Sequence, residues 1–360
     1  MRKSVINSWG RILTGRNPIL SIEITRECPL ACPGCYAYAP QHLGDDVTLR
    51  DVSELRGPAL VQRVFQLVRL HRPLHVAFVG GEPLVRRREL SEILPHLSAQ
   101  GIDTQVVTSA VGPVPPEWAE VKRLRVSVSV DGLQPEHDER RKPATYDRIL
   151  KHIEGHRVTI HCTVTGQQAG RPGYLEEFVR FWSAVPETKH IWISLYTPQL
   201  GETSKERLSV EQRRQVVADL RQLRSRFPKL AAHPAVLESH LNPPGSPARC
   251  KFAQVSTCLS ADLETPVTPC QIGGLPDCTE CGCYAAAGFE AIGRHRLPIG
   301  IRAGALFDWS LRVGAVVRRL REAAHPDGRD DSLEPRPDPA LQPAPADSGR
   351  SQRLTLSRDP

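Results

Sequence analysis

The sequence predicts an α/β fold in two parts, a partly open barrel of six strand–helix units and a small cysteine-rich C-terminal domain. Short runs rich in Val and Ile alternate with longer amphipathic segments from about residue 20 to residue 226, the pattern of parallel strands joined through helices. Six such units with helices outside suit a barrel, with a flat doubly wound sheet as the other reading. Past Pro243-Pro244-Gly245 the chain turns loop-prone and cysteine-rich to about residue 290, which reads as a separate unit.

In order, the candidate strands are Leu20 to Thr25, His75 to Val79, Thr104 to Thr108, Leu124 to Val130, Val158 to Thr165 and Ile191 to Tyr196. Helical periodicity falls between them at Leu60 to Leu70, Arg88 to Ala99, Tyr146 to Glu154, Tyr174 to Trp182 and Val210 to Arg226,. The last three strands alternate: Ser127, Ser129 and Asp131 oppose Val126, Val128 and Val130, and Thr159, His161, Thr163 and Thr165 oppose Val158, Ile160, Cys162 and Val164. Trp192, Ser194 and Tyr196 likewise oppose Ile191, Ile193 and Leu195,. Parallel strands under helices are usually apolar on both faces, so the polar face is expected to line a ligand cavity. His161, Ser194 and Tyr196 are the candidate substrate contacts there. A satisfied core histidine is the plainer reading of His161, and Cys162 reads as a small buried hydrophobe.

The expected organisation is an N-terminal segment over residues 1–17, a core over 18–240, a cysteine-rich domain over 245–295, a helix over 296–324 and a disordered tail over 325–360. Leu259 to Thr268 reads as a short hairpin. Leu306, Trp309, Val313, Val316 and Leu320 share one face of the last helix, expected to pack on the core; membrane-surface attachment through Arg312, Arg318, Arg319 and Arg321 is the other reading.

Composition narrows the function. The 40% hydrophobic content over 360 residues supports a globular core and excludes disorder throughout,. The formal charge of +7, from 47 basic and 40 acidic residues, is spread along the chain, so nucleic acid is not an expected partner. No apolar run approaches the roughly 20 residues that span a bilayer, and no secretory signal opens the chain; a cytoplasmic location is expected. In that compartment cysteines stay reduced, and soft metals or clusters are their natural use. Of ten, three lie between residues 28 and 35, six between 250 and 283, and Cys162 stands alone.

Cys28-Pro-Leu-Ala-Cys32-Pro-Gly-Cys35 follows the first strand, at the sheet end where parallel-sheet active sites form,. A closed zinc site or cubane takes four protein ligands, whereas a cubane on three cysteines leaves one iron open; a zinc knuckle remains the alternative for the spacing alone. The second strand runs into Gly80-Gly81-Glu82-Pro83, where two residues without side chains let a ligand approach the backbone beside a carboxylate. A tight turn is the plainer reading of the same tetrapeptide.

The cysteine triplet, Gly80 to Pro83, and Ser127 to Gly132 followed by His137, Asp138 and Arg141 resemble the radical S-adenosylmethionine (SAM) superfamily over roughly residues 18 to 230. The resemblance implies a partial (β/α)6 TIM-like barrel with a [4Fe-4S] cluster whose unique iron binds SAM. Reduction would cleave SAM to a 5′-deoxyadenosyl radical that abstracts hydrogen from an organic substrate, an oxidoreductase or maturase activity. It implies Cys28, Cys32 and Cys35 as cluster ligands, Gly80, Gly81 and Glu82 at the methionyl amino end, and Thr108 at the end of the third strand. Ser129 and Asp131 would approach the ribose and Arg141 the SAM carboxylate. Gly34 stands where the family usually carries an aromatic residue against adenine; Tyr36 is the ring that could replace it. An electron donor such as flavodoxin or ferredoxin is the implied partner.

Around Cys258, Pro269 and Cys270 the second region resembles the SPASM or twitch extensions that hold auxiliary [4Fe-4S] clusters. One auxiliary cluster on Cys258, Cys270, Cys278 and Cys281 is expected, with structural zinc as the alternative. The substrate is a peptide or else a small metabolite or lipid, and the rival class is a zinc-stabilised binding protein without catalysis.

Overall fold

The computed structural model describes residues 2–143, 146–296, 300 and 302–324. The tail expected over 325–360 lies outside them. The strands are β1 (Ile19–Glu23), β2 (His75–Val79), β3 (Asp103–Thr108), β4 (Leu124–Ser129), β5 (Val158–Val164), β6 (Thr188–Leu195) and β7 (Ser256–Leu259). They form one parallel sheet in the order β6-β5-β4-β3-β2-β1-β7. The six expected strands are present within a residue or three of their expected ends, and β7 is a seventh, drawn from the cysteine-rich segment. Crossover helices Gly57–His71, Arg87–Ala99, Tyr146–His152, Tyr174–Ala184 and Val210–Arg226 match the periodic segments.

Local chemistry fixes these elements. Pro58 in the first turn suits the start of Gly57–His71,, and Val210–Arg226 begins with a reciprocal capping box between Ser209 and Gln212,. Strand alternation then sorts the faces: Ile22, Phe78, Val106, Val128, Ile160, Cys162 and Ile193 are buried against Val64, Leu94, Phe178, Trp182 and Leu220 of the helices. Each such side chain contributes roughly 1.5–3 kcal/mol on burial. Ser21, Glu23, Ser127, Ser129, Thr159, His161 and Ser194 lie on the opposite, inner face.

The cysteine-rich segment spans the opening between the two sheet edges. It enters as β7 beside β1 and folds back through an antiparallel bridge between Leu259 and Pro266, the expected hairpin. It then crosses to β6, where Leu200 N donates to Leu275 O at 2.8 Å, Asp277 N to Pro198 O at 2.8 Å and Leu195 N to Gly282 O at 2.9 Å. A Cβ on Gly282 would lie 2.1 Å from Leu195 O, so only glycine permits this approach. Covering β6 satisfies edge groups that an open sheet leaves bare.

The last helix, Ala303–Ala324, corrects one expectation. Its packed face carries Ala303, Phe307, Ser310 and Gly314, whereas Trp309, Val316 and Leu320 are exposed. Small residues decide the rotation: a Cβ on Gly314 would stand 2.0 Å from Ile12 O, so the helix Arg2–Leu13 docks along that stripe. No helix among the described residues is long and apolar enough to cross a membrane.

Candidate functional site

The inner-face residues converge at the C-terminal end of the strands. The Cys28–Cys35 loop leaves β1 there and is held by Ala31 N donating to Lys142 O at 2.6 Å and Cys35 N to Cys32 O at 3.3 Å. Gly34 takes φ +68°, a left-handed conformation that admits glycine where an aromatic residue would be strained. Burial pushes the Cys28 thiol up to about 11, with Glu82 and the neighbouring thiols adding to it. Burial also raises Cys35, against a pull from Arg141.

Gly80 and Gly81 serve the chain itself. A Cβ on Gly80 would lie 2.4 Å from Glu23 Cβ, and one on Gly81 2.2 Å from Glu27 O; the exit of β2 therefore crosses hard against the stem of the cysteine loop. Glu82 N donates to Glu27 O at 2.8 Å. The Glu82 carboxylate is buried and accepts from Leu84 N at 3.0 Å, Thr108 Oγ1 at 2.5 Å, Ser109 N at 2.8 Å and Ser109 Oγ at 2.5 Å. A carboxylate has about four acceptor positions, and protein donors fill them. Glu82 and Thr108 thus meet each other and tie β2 to β3.

Asp131 is the electrostatic centre. Arg141 Nε donates to it at 2.8 Å and Arg140 Nη1 lies 3.2 Å away, while its backbone N donates to His137 Nδ1 at 3.1 Å. Burial alone would raise the carboxyl, but Arg141 and Arg140 outweigh it and hold it well below the usual carboxylate range. The Ala31–Lys142 hydrogen bond ties the cysteine loop to the residue after Arg141, and Cys32 and Cys35 help to raise the Arg141 guanidinium, so this pair and the triplet share one site. Ser129 lies beside it on β4, buried, in register with His161 on β5.

Of the candidate substrate contacts, His161 Nε2 and Ser194 Oγ meet at 2.8 Å, and burial holds His161 below its ordinary value. Tyr196 turns away to Glu202 at 2.6 Å. Tyr36 keeps 39% of its surface exposed, with its ring centroid 5.7 Å from that of His42.

In the second region one cavity is lined by Cys250, Cys270, Cys278, Cys281 and Cys283, with Pro244, Phe252, Ile272 and other apolar groups. Cys258 is not among them. It lies on β7 opposite Ser21 of β1 and senses Glu23 and Cys283. The expected set of Cys258, Cys270, Cys278 and Cys281 is therefore three cavity thiols and one on the neighbouring strand; Cys250 and Cys283 join the three because the loops fold back on the helices Lys251–Val255 and Tyr284–Arg294. Among the described residues no three His, Cys, Asp or Glu side chains are close enough to hold a single metal ion. A cubane binds each thiolate on a different iron, so soft thiolate donors gathered in this way are the chemistry such a cluster takes.

Sequence reasoning missed a buried network on the inner face. Glu23 accepts from Ser260 Oγ at 3.0 Å and meets His42 Nε2 at 2.8 Å, both side chains fully buried. The alternation Leu20, Ile22, Ile24 against Ser21, Glu23, Thr25 carried that signal.

A model of the radical SAM superfamily matches residues 22–197. PqqA peptide cyclase of Methylocella silvestris is 37% identical over 97 residues, 27% of this chain and 24% of the relative. Fe-coproporphyrin III synthase of Methanosarcina barkeri is 26% identical over 215 residues, 56% of this chain and 50% of the relative. The chain thus spans between a quarter and a half of these relatives. Among solved structures, Streptococcus suis SuiB bound to its precursor peptide SuiA superposes with a TM-score of 0.50 at 16% identity, covering 72% of this chain and 61% of that one. AnSMEcpe with bound AdoMet gives 0.51 at 16% identity, covering 74% and 80%; at such identities the likeness is one of fold.

Proposed function

Because this chain belongs to the radical SAM superfamily, carrying its domain over residues 22–197, we propose that it cleaves SAM reductively and abstracts hydrogen from an organic substrate held on the inner face of the sheet. Cys28, Cys32 and Cys35 would hold a [4Fe-4S] cluster. When bound and reduced by one electron, that group supplies cleavage of SAM to methionine and a 5′-deoxyadenosyl radical. The chain supplies binding and containment. The observation that carries the reading is the Asp131–Arg141 pair set against Cys32 and Cys35.

Arg141, anchored through Nε, has further donors for the SAM carboxylate. Asp131 and Ser129 would take ribose hydroxyls. With the Glu82 carboxylate occupied by protein donors, backbone carbonyls around Gly80 and Gly81 would take the methionyl ammonium, with Glu82 shaping their path. Tyr36 is the ring available to adenine. His161 and Ser194 would orient the substrate, and the cysteine-rich strap across the sheet edges keeps water from the radical.

For the second region we propose one auxiliary [4Fe-4S] cluster on four of the five cavity cysteines. Alanine made singly at each of the five should then lower iron content at four positions and leave it unchanged at the fifth.

The peptide-modifying relatives support a peptide substrate. A small-molecule substrate is the second reading, favoured by the longer stretch shared with the coproporphyrin enzyme. The decisive test is reconstitution with iron and sulfide under anaerobic conditions, then SAM and dithionite. 5′-Deoxyadenosine should form, and Cys32→Ala should abolish it; zinc without sulfide in the purified protein, or a fully active Cys32→Ala, would overturn the proposal.

A further inference from the structure

Arg213 is a buried cation that no carboxylate among the described residues pairs with directly. It sits in the first turns of the helix Val210–Arg226 and is only 8% exposed. Nη1 donates to His240 O at 3.0 Å and Cys281 O at 3.2 Å, and Nη2 to Glu280 O at 2.6 Å. All three are backbone carbonyls. The nearby Glu280 carboxylate is committed to Arg207 at 2.6 Å, and among the described residues no carboxylate lies within ion-pair distance of Arg213. The negative influences on it are indirect: Glu280 acts on it without pairing, and His240 O belongs to the last turn of the helix Pro234–Leu241, whose C-terminus carries partial negative charge.

Carbonyl dipoles satisfy the donors of a guanidinium but do not cancel its charge, and a buried charge without a direct counter-ion is costly. The side chain lies directly behind Cys281, whose thiol shares the cavity with Cys250, Cys270, Cys278 and Cys283. Occupied by metal, those thiols are thiolates, and a four-thiolate cubane is an anion in both of its working oxidation states. The missing negative charge and the empty-handed cation then stand on two sides of one backbone segment.

We propose that Arg213 is the counter-charge of an anionic iron–sulfur group in the second cysteine cavity, and that it sets how readily that group accepts an electron. The inference rests on the auxiliary-cluster reading above. Arg213 touches no substrate and acts through the cluster, as a positioning residue. Reduction adds negative charge to the cavity, so a fixed cation behind Cys281 favours the reduced form, and removing it lowers the potential.

The test uses the full chain with Cys28, Cys32 and Cys35 all changed to Ala, so that any cluster belongs to the second region. Iron, sulfide, the electron paramagnetic resonance signal and the midpoint potential are measured after reconstitution with ferrous iron and sulfide, with Arg213, Arg213→Lys and Arg213→Met compared. Arg213→Met should reduce at least tenfold less favourably, 59 mV lower for a one-electron couple, while Arg213→Lys stays near the parent. Each variant is compared with its own metal-free form, and Arg213→Met should gain less in Tm on metal loading than the parent does. If Arg213→Met does not fold, Arg213→Gln, which keeps one donor for the carbonyls, takes its place with the same expectation. An unchanged potential together with an unchanged gain in Tm would overturn the role of Arg213 while leaving the cluster intact. Retention of no iron or sulfide would overturn the auxiliary cluster, and this inference with it.

Discussion

The two cysteine regions lie at the same open end of one molecule but solve the charge problem in opposite ways. Beside Cys32 and Cys35 stands Arg141, already neutralised by Asp131 at 2.8 Å. Beside Cys281 stands Arg213, bonded only to carbonyls. A matched pair can meet the ammonium and carboxylate of an amino-acid moiety, such as the methionyl end of SAM, at little electrostatic cost. An unmatched cation favours an occupant with net negative charge. On the reading proposed above, the difference separates a cluster site that must also take the methionyl end of an exchangeable ligand from one that holds a cluster alone.

The sharpest way to break the comparison is Cys32→Ala. It should reduce 5′-deoxyadenosine formation to background and lower iron by about four per chain, while the second region keeps its own iron; equal loss from both regions would show one shared site. Asp131→Asn comes next, because it makes Arg141 resemble Arg213. It should destabilise the protein by about 2 kcal/mol and weaken SAM binding measured by calorimetry, without altering the signal of the second region.

Acid should act on both regions through histidine. Burial, with Arg213 beside it, lowers His240 to about 4, and burial, partly opposed by Asp131, lowers His137 to about 4. The unfolded chain takes these protons near pH 6.5 and the folded protein only near 4. The neutral rings thus contribute stability that is fully present above pH 6.5 and is lost as pH falls towards 4, on the order of 2–3 kcal/mol for each. Urea midpoints at pH 7, 6, 5 and 4 should fall steadily over that window, and His240→Gln should flatten the part that belongs to the second region. The smallest effect expected is that of Cys162→Ala. Cys162 is 1% exposed within the apolar core, so its loss should cost about 1 kcal/mol and leave iron in both regions unchanged.

Strand faces were legible because alternation is a local rule: Val126, Val128 and Val130 enter the core, and Ser127, Ser129 and Asp131 the inner face. The last helix shows the limit of such rules. Its larger apolar residues lie outward, since the close approach of Ile12 to Gly314 decides the rotation, and a stripe of small residues gives no hydrophobic signal.

What the sequence by itself determined is six of the seven parallel strands, the cysteine triplet after β1 and the clustering of six further cysteines. These depend on neighbours a few residues apart. Only the tertiary structure decided that Glu82 spends its carboxylate on Leu84, Thr108 and Ser109, that Cys250 and Cys283 share a cavity while Cys258 lies on β7, and that Arg213 reaches Cys281 across 68 residues. The physical reason is common to all three. Hydrogen bonds and charges are satisfied by whatever the fold brings within about 3 Å, and no periodicity along the chain encodes which distant backbone that will be.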